Sequence, residues 1–142
     1  MDNTNTIKII ENGLVTIILF VIIIILYKPL INMIERLKIQ SAQENTRNIA
    51  DITKNYYMSL NLIDYVKLPF KIVFKNQEYK VYSGGLQYTP SQTKTLRIKG
   101  KLPTHGSVEL KENGEVEITD LKVGNYICNK KNNLKEECIK IE

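Results

Sequence analysis

Residues 7–31, IKIIENGLVTIILFVIIIILYKPLI, form a nearly unbroken apolar run, and nothing else in the chain restricts its fold so tightly. Leu14 to Tyr27 carries no formal charge. As a helix rising 1.5 Å per residue this core spans about 21 Å, short of a hydrocarbon layer of about 30 Å. Counted from Ile7 through Ile31 the segment reaches about 37 Å, which is enough. Lys28 then snorkels to the surface and Tyr27 sits in the interfacial belt. Glu11 is the exception at the other boundary. It requires water, a proton or a positive partner, because an uncompensated charge at membrane depth costs several kcal/mol. A cleaved signal peptide and a buried soluble helix are the alternatives. Lys8 is the only basic side chain before the uncharged core, and no small-x-small site follows that core, so the residues favour a retained membrane helix.

Pro29 removes the hydrogen bond to the carbonyl of Ile25 and disfavours helical geometry at Lys28. Prolines are tolerated near membrane-helix ends, so the reading places a kink at Pro29 rather than a stop. Beyond it, Leu30, Ile31, Ile34 and Leu37, then Ile49, Ile52, Tyr56, Leu60 and Ile63, recur at helical steps and build one apolar stripe. Between the two groups, KIQSAQENTRN (38–48) is polar on nearly every face. One helix of about 50 residues, roughly 75 Å, accounts for the pattern. Two helices joined by a loop near Ser41 to Asn48 remain the alternative, although no Gly or Pro breaks the stretch.

With 142 residues, removal of a membrane-length stretch leaves material for one small domain. The expected division is a short leader or cytoplasmic tail at 1–6, a transmembrane segment at 7–31, an amphipathic extension at 32–64 and a sheet domain at 65–142. The net charge of +5 lies wholly in 65–142, and residues 67–101 hold eight basic side chains against one acidic.

The pieces IKIIENGLVTI and IILYKPLINMIERLKIQSAQEN resemble the amino-terminal helix of type IV pilins and pseudopilins. Residues 29–36 and, more loosely, KGKLPTHGSVELKENGEVEI are similar to stretches of pilin-like proteins from Gram-positive bacteria. On that register Ile7 takes the first mature position, Glu11 the family's glutamate, and Pro29 falls within one residue of its helix-loosening proline. The resemblance implies that Glu11 pairs with the amino terminus of a neighbouring subunit in a filament core. A carboxylate matched by an amine in low dielectric favours one register of assembly. It also implies a prepilin peptidase as processing partner. The sequence departs from the family where Thr6, rather than glycine, precedes Ile7, and where the leader MDNTNT lacks basic residues. Without cleavage no amine exists at Ile7, so processing stays open.

Lys28, Arg36 and Lys38 on the carboxyl-terminal flank outweigh Lys8 and the terminal amine, so the positive-inside rule mildly favours a cytoplasmic carboxyl-terminal domain. Filament assembly needs the opposite. Cys128 and Cys138 flank an Asn-rich turn between two short strands. A bridge there contributes roughly 2–3 kcal/mol in an oxidising compartment and supports an outward-facing domain; unlinked thiols in a reducing one are the alternative. Many pilins resemble this in having a carboxyl-terminal disulfide loop.

Residues 70–74, 78–82, 95–99, 107–111, 115–119, 125–128 and 138–141 alternate apolar with polar side chains, as half-buried antiparallel strands do. Asn113-Gly114 supplies the positive φ angles of a tight hairpin, with Val108, Leu110, Val116 and Ile118 on the inner face. The expected fold is α+β: a long helix, membrane-spanning first and amphipathic after, whose distal half packs on a small antiparallel sheet.

No catalytic residues emerge, and the chain reads as no enzyme. His105 stands alone as a turn residue, and Ser107 beside it lacks an orienting carboxylate. Ser83-Gly84-Gly85 lacks the lysine and helix of a phosphate loop. Two thiols and one histidine do not form a four-ligand metal site, and no cofactor motif is present. Lys71, Lys75, Lys80, Lys94, Arg97, Lys99 and Lys101, interleaved with Phe70, Phe74, Tyr79, Tyr82 and Tyr88, form a candidate patch for nucleic acid or an anionic wall polymer. The plainer reading sends the lysines to solvent and the aromatics to the core. Two functions follow as expectations. One is a pilin-like or pseudopilin-like subunit of a type IV pilus or type II secretion-like filament, with other such subunits and the membrane as partners. The other is a single-pass cell-membrane anchor carrying a non-polymerising extracytoplasmic binding or spacer domain.

Overall fold

The computed structural model describes residues 3–90, 95–99, 102–131 and 134–141, with side chains from Gly13 onward. A helix, α1, runs Asn3–Asn61. Seven strands follow: β1 Phe70–Lys75, β2 Glu78–Ser83, β3 Leu86–Tyr88, β4 His105–Leu110, β5 Val116–Val123, β6 Tyr126–Lys130 and β7 Glu137–Lys140. The chain divides into two compact units, 1–38 and 39–142, and the division falls inside α1. The α+β class is the one the sequence pattern predicts. No break interrupts the helix between Ser41 and Asn48, which removes the two-helix alternative.

In the unit 39–142 the strands form one antiparallel sheet in the order β3-β2-β1-β4-β5-β6-β7. Period-two alternation sends Phe70, Ile72 and Phe74 of β1, Val108 and Leu110 of β4, and Val116 and Ile118 of β5 to one face, and a register shift after Ile118 brings Leu121 to it as well, all buried. Ile49, Ala50, Tyr56 and Leu60 of α1 join them in a single core. Ile63 of the expected stripe lies past the helix and is exposed.

The 38–48 stretch requires a correction, because Ala42 and Thr46 are buried. Thr46 Oγ1 donates to the Ala42 carbonyl at 2.8 Å and Thr53 Oγ1 to that of Ile49 at 2.9 Å. Each hydroxyl is satisfied by its own helix, so threonine packs as a small apolar residue. Residues 95–99 are corrected too: they form no strand. Leu96 is buried as the alternation requires, but its N–H donates to the Tyr79 hydroxyl at 3.0 Å instead of to a ladder.

The hairpin turns also differ from expectation. At Asn113-Gly114 only the glycine has positive φ, while Asn113 Oδ1 accepts from the Glu115 N–H at 3.0 Å. Two turns carry consecutive positive φ values, Asn76-Gln77 between β1 and β2 and Gly84-Gly85 between β2 and β3. His105, read as a turn residue, begins β4 and is exposed.

Candidate functional site

From Leu14 through Leu37 every large apolar side chain of α1 is at least 38 % exposed. Ile22 to Ile25 are consecutive, and successive residues of an α-helix point about 100° apart, so they cover every side of it rather than one stripe. A helix apolar all round requires an apolar surrounding. Leu14–Tyr27 alone contributes 13 large apolar side chains. At about 1.5–3 kcal/mol each, leaving them in water costs roughly 20–40 kcal/mol, more than the 5–15 kcal/mol by which a domain is stable. Among the described residues this is one helix long and apolar enough to cross a membrane. α1 continues through Pro29 without interruption. Glu11 lies in the helical backbone, but its side chain falls outside the described residues.

The sheet contributes a second set of groups. Cys128 and Cys138 are joined by a disulfide across the β6–β7 register, where the two residues face each other. Beside it, Tyr126, Cys128 and Ala42 form a small second core, with Ile39 packed against it. The Glu136 carboxylate, 3 % exposed, lies between Arg47 Nη2 at 3.0 Å and Lys130 Nζ at 2.9 Å. Gln43 Nε2 donates to the Glu136 carbonyl at 3.0 Å. Burial by itself would raise the carboxyl's pKa; the hydrogen bonds from Arg47 and Lys130 outweigh it and hold the group down to about 2. This brace fastens the disulfide loop to α1. Sequence reasoning missed it, because nothing in Lys135-Glu136-Glu137 distinguishes the buried glutamate from the exposed one.

Lys71 and Lys75 of β1 and Lys80 of β2 share the solvent face, whereas Arg97 and Lys99 lie on the irregular segment 95–99. Lys94 and Lys101 fall outside the described residues. Lys71 pairs with Glu109 at 3.4 Å, and Glu78 stands opposite Lys75 in the ladder. The aromatics divide as the plainer reading has it for Phe70 and Phe74, which are buried. Tyr79 is half-buried over the core, and Tyr88 donates to Asp64. Among the described residues no group of three or more His, Cys, Asp or Glu side chains is placed to hold a metal ion.

The chain was compared with family models, curated proteins and solved structures, and none matches it.

Proposed function

We propose that this chain is a pilin-like subunit, anchored in the cell membrane by the apolar half of α1 and assembling with its own kind through that helix, with the sheet unit outside the membrane. The all-round apolar surface from Leu14 to Tyr27, on the same helix as the segment that packs on a disulfide-bonded sheet, carries this reading. An apolar helix of this type satisfies its surroundings either in lipid or against copies of itself, so one element serves both as anchor and as filament core. Glu11 sets the register, its carboxylate matched by the amine of a neighbour cleaved before Ile7. The disulfide supports an oxidising location for the sheet unit.

Intact-mass measurement of the chain from its native membrane tests the proposal. A polypeptide beginning at Ile7 is the expected result, and Glu11→Ala should abolish incorporation into filaments while membrane localisation persists. Retention of Met1 together with filament-independent localisation of both proteins would overturn it. Thr6 in the position of the family's glycine favours a second reading, in which α1 is a single-pass anchor and the sheet unit a spacer or binding domain that never polymerises.

A further inference from the structure

The solvent face of the sheet is not flat. Where β1, β4 and β5 lie side by side, a hollow of about 260 Å³ opens between Lys71, Lys75, His105 and Asp120, above Val73, Ser107 and Thr119. Its origin is in the backbone. The β5–β6 register shifts between Ile118 and Leu121, and Asp120 there takes φ 48. Such a bulge re-aims side chains next to it. Gly106 on β4, at φ 105, lies so close that a Cβ would stand 2.4 Å from the Asp120 carbonyl oxygen. Small residues occupy the middle of the face, where Ser107 pairs with both Val73 and Thr119, while Lys75 and His105 pair at its end.

The polar groups around the hollow divide into engaged and available ones. Lys71 is shared with Glu109 at 3.4 Å, and Asp120 Oδ1 accepts from Asn129 Nδ2 at 3.3 Å. Among the described residues no hydrogen bond or ion pair engages the side chains of Lys75, His105, Ser107 or Thr119. The available set is therefore one ammonium, one imidazole and two hydroxyls, beside a carboxylate that retains acceptor capacity. Glu78, Glu109 and Asp120 offset Lys71, Lys75 and Lys80 on this face, so the balance is wrong for a polyanion such as duplex nucleic acid, which needs a run of uncompensated cations. It fits a ligand with one anionic group and several hydroxyls. The volume, below the 300–1,000 Å³ typical of drug-sized ligands, limits that ligand to a short one.

We propose that this hollow binds a phosphorylated polyol, its phosphate held by Lys75 and His105 over the Ser107 and Thr119 hydroxyls and its own hydroxyls donating to Asp120. The site belongs to the sheet unit and is independent of whether α1 assembles into filaments. Calorimetric titration of the full chain in detergent, with glycerol phosphate, inorganic phosphate and glycerol as separate probes, tests it. Glycerol phosphate should bind more tightly than inorganic phosphate, and glycerol alone should not bind measurably. Lys75→Ala should weaken glycerol phosphate by about tenfold or more, the scale of one charge-assisted hydrogen bond. Asp120→Asn, tolerated at positive φ, should remove the preference for the polyol ester while inorganic phosphate still binds. Arg97→Ala, outside the hollow, should change nothing. Equal affinity for the two phosphates overturns the polyol assignment. Absence of binding, or indifference to Lys75→Ala in a variant whose unfolding midpoint is unchanged, overturns the site.

Discussion

Replacing Glu136 by glutamine removes a buried negative charge with almost no change of shape, and the structure sets the size of the effect. The carboxyl is held at about 2 against an ordinary value of 4.5. At 1.36 kcal/mol per pKa unit, that difference corresponds to roughly 3 kcal/mol of preference for the ionised form in the folded state. Part of it must be discounted, because the Arg47 side chain is 63 % exposed and water screens its share. Lys130, 23 % exposed, supplies the better-shielded partner and is left beside a neutral amide in the variant. About 2 kcal/mol remains as the expected loss at neutral pH. The sign follows from the direction of the shift. A carboxyl depressed on folding contributes its stability in full above its unfolded value and loses it as pH falls through the folded one. The gap between wild type and Glu136→Gln should therefore be full above about pH 5 and close between about 4.5 and 2. Urea unfolding of the oxidised chain in detergent, followed by near-ultraviolet tyrosine circular dichroism, measures it. The chain has eight tyrosines and no tryptophan. With a slope of about 1–2 kcal/mol per molar, the neutral-pH midpoint should drop by about 1–2 M. A gap of the same size at pH 2 and pH 7, or none at pH 7, would show that the brace is not electrostatic.

Other perturbations have equally definite outcomes. Cys128→Ser with Cys138→Ser should lower stability by about 2–3 kcal/mol, read as a shift in the same unfolding midpoint, because the bridge closes a short loop across β6 and β7. Phe74→Ala, at a fully buried position, should cost about 3–5 kcal/mol, whereas Leu86→Ala, exposed on β3, should stay within about 0.5 kcal/mol; equal effects in thermal melts would refute the assigned core. Gly106→Ala should destabilise by more than about 2 kcal/mol, since positive φ and the nearby Asp120 backbone both exclude a Cβ; a folded variant with an unchanged melting temperature would contradict the packing of β4 on β5.

How much of this was legible in the sequence depends on which physical signal each residue sends. Alternation identified β1, β2, β4, β5, β6 and β7 because one face of each is buried and the other wet, and the hydrophobic period reports burial directly. The same signal misled at 95–99, where Leu96 is buried but its backbone is satisfied by a tyrosine hydroxyl, so burial and ladder pairing part company. β3 escaped notice because three residues, Leu86, Gln87 and Tyr88, are too few to show a period. Ala42 and Thr46 lie in a stretch read as polar on nearly every face, yet with Thr53 they line the packed side of α1, since a hydroxyl bonded to its own helix is no longer polar to its neighbours. Among candidate site residues, the long apolar segment and the paired cysteines follow from composition and spacing. The Glu136 brace and the hollow beside Asp120 do not. They arise from contacts between residues far apart in sequence, Arg47 with Glu136 and Gly106 with Asp120, which no local pattern encodes.

The two margins of the sheet are closed in different ways. β3 ends one side with three residues, while β7 at the other is tied covalently to β6. Thermal fraying should therefore start from β3, whose amides will exchange with solvent deuterium ahead of those in β6 and β7. Reduction should bring the β7 margin closer to the same rate, so a thiol-reducing environment sets which side of the sheet opens first.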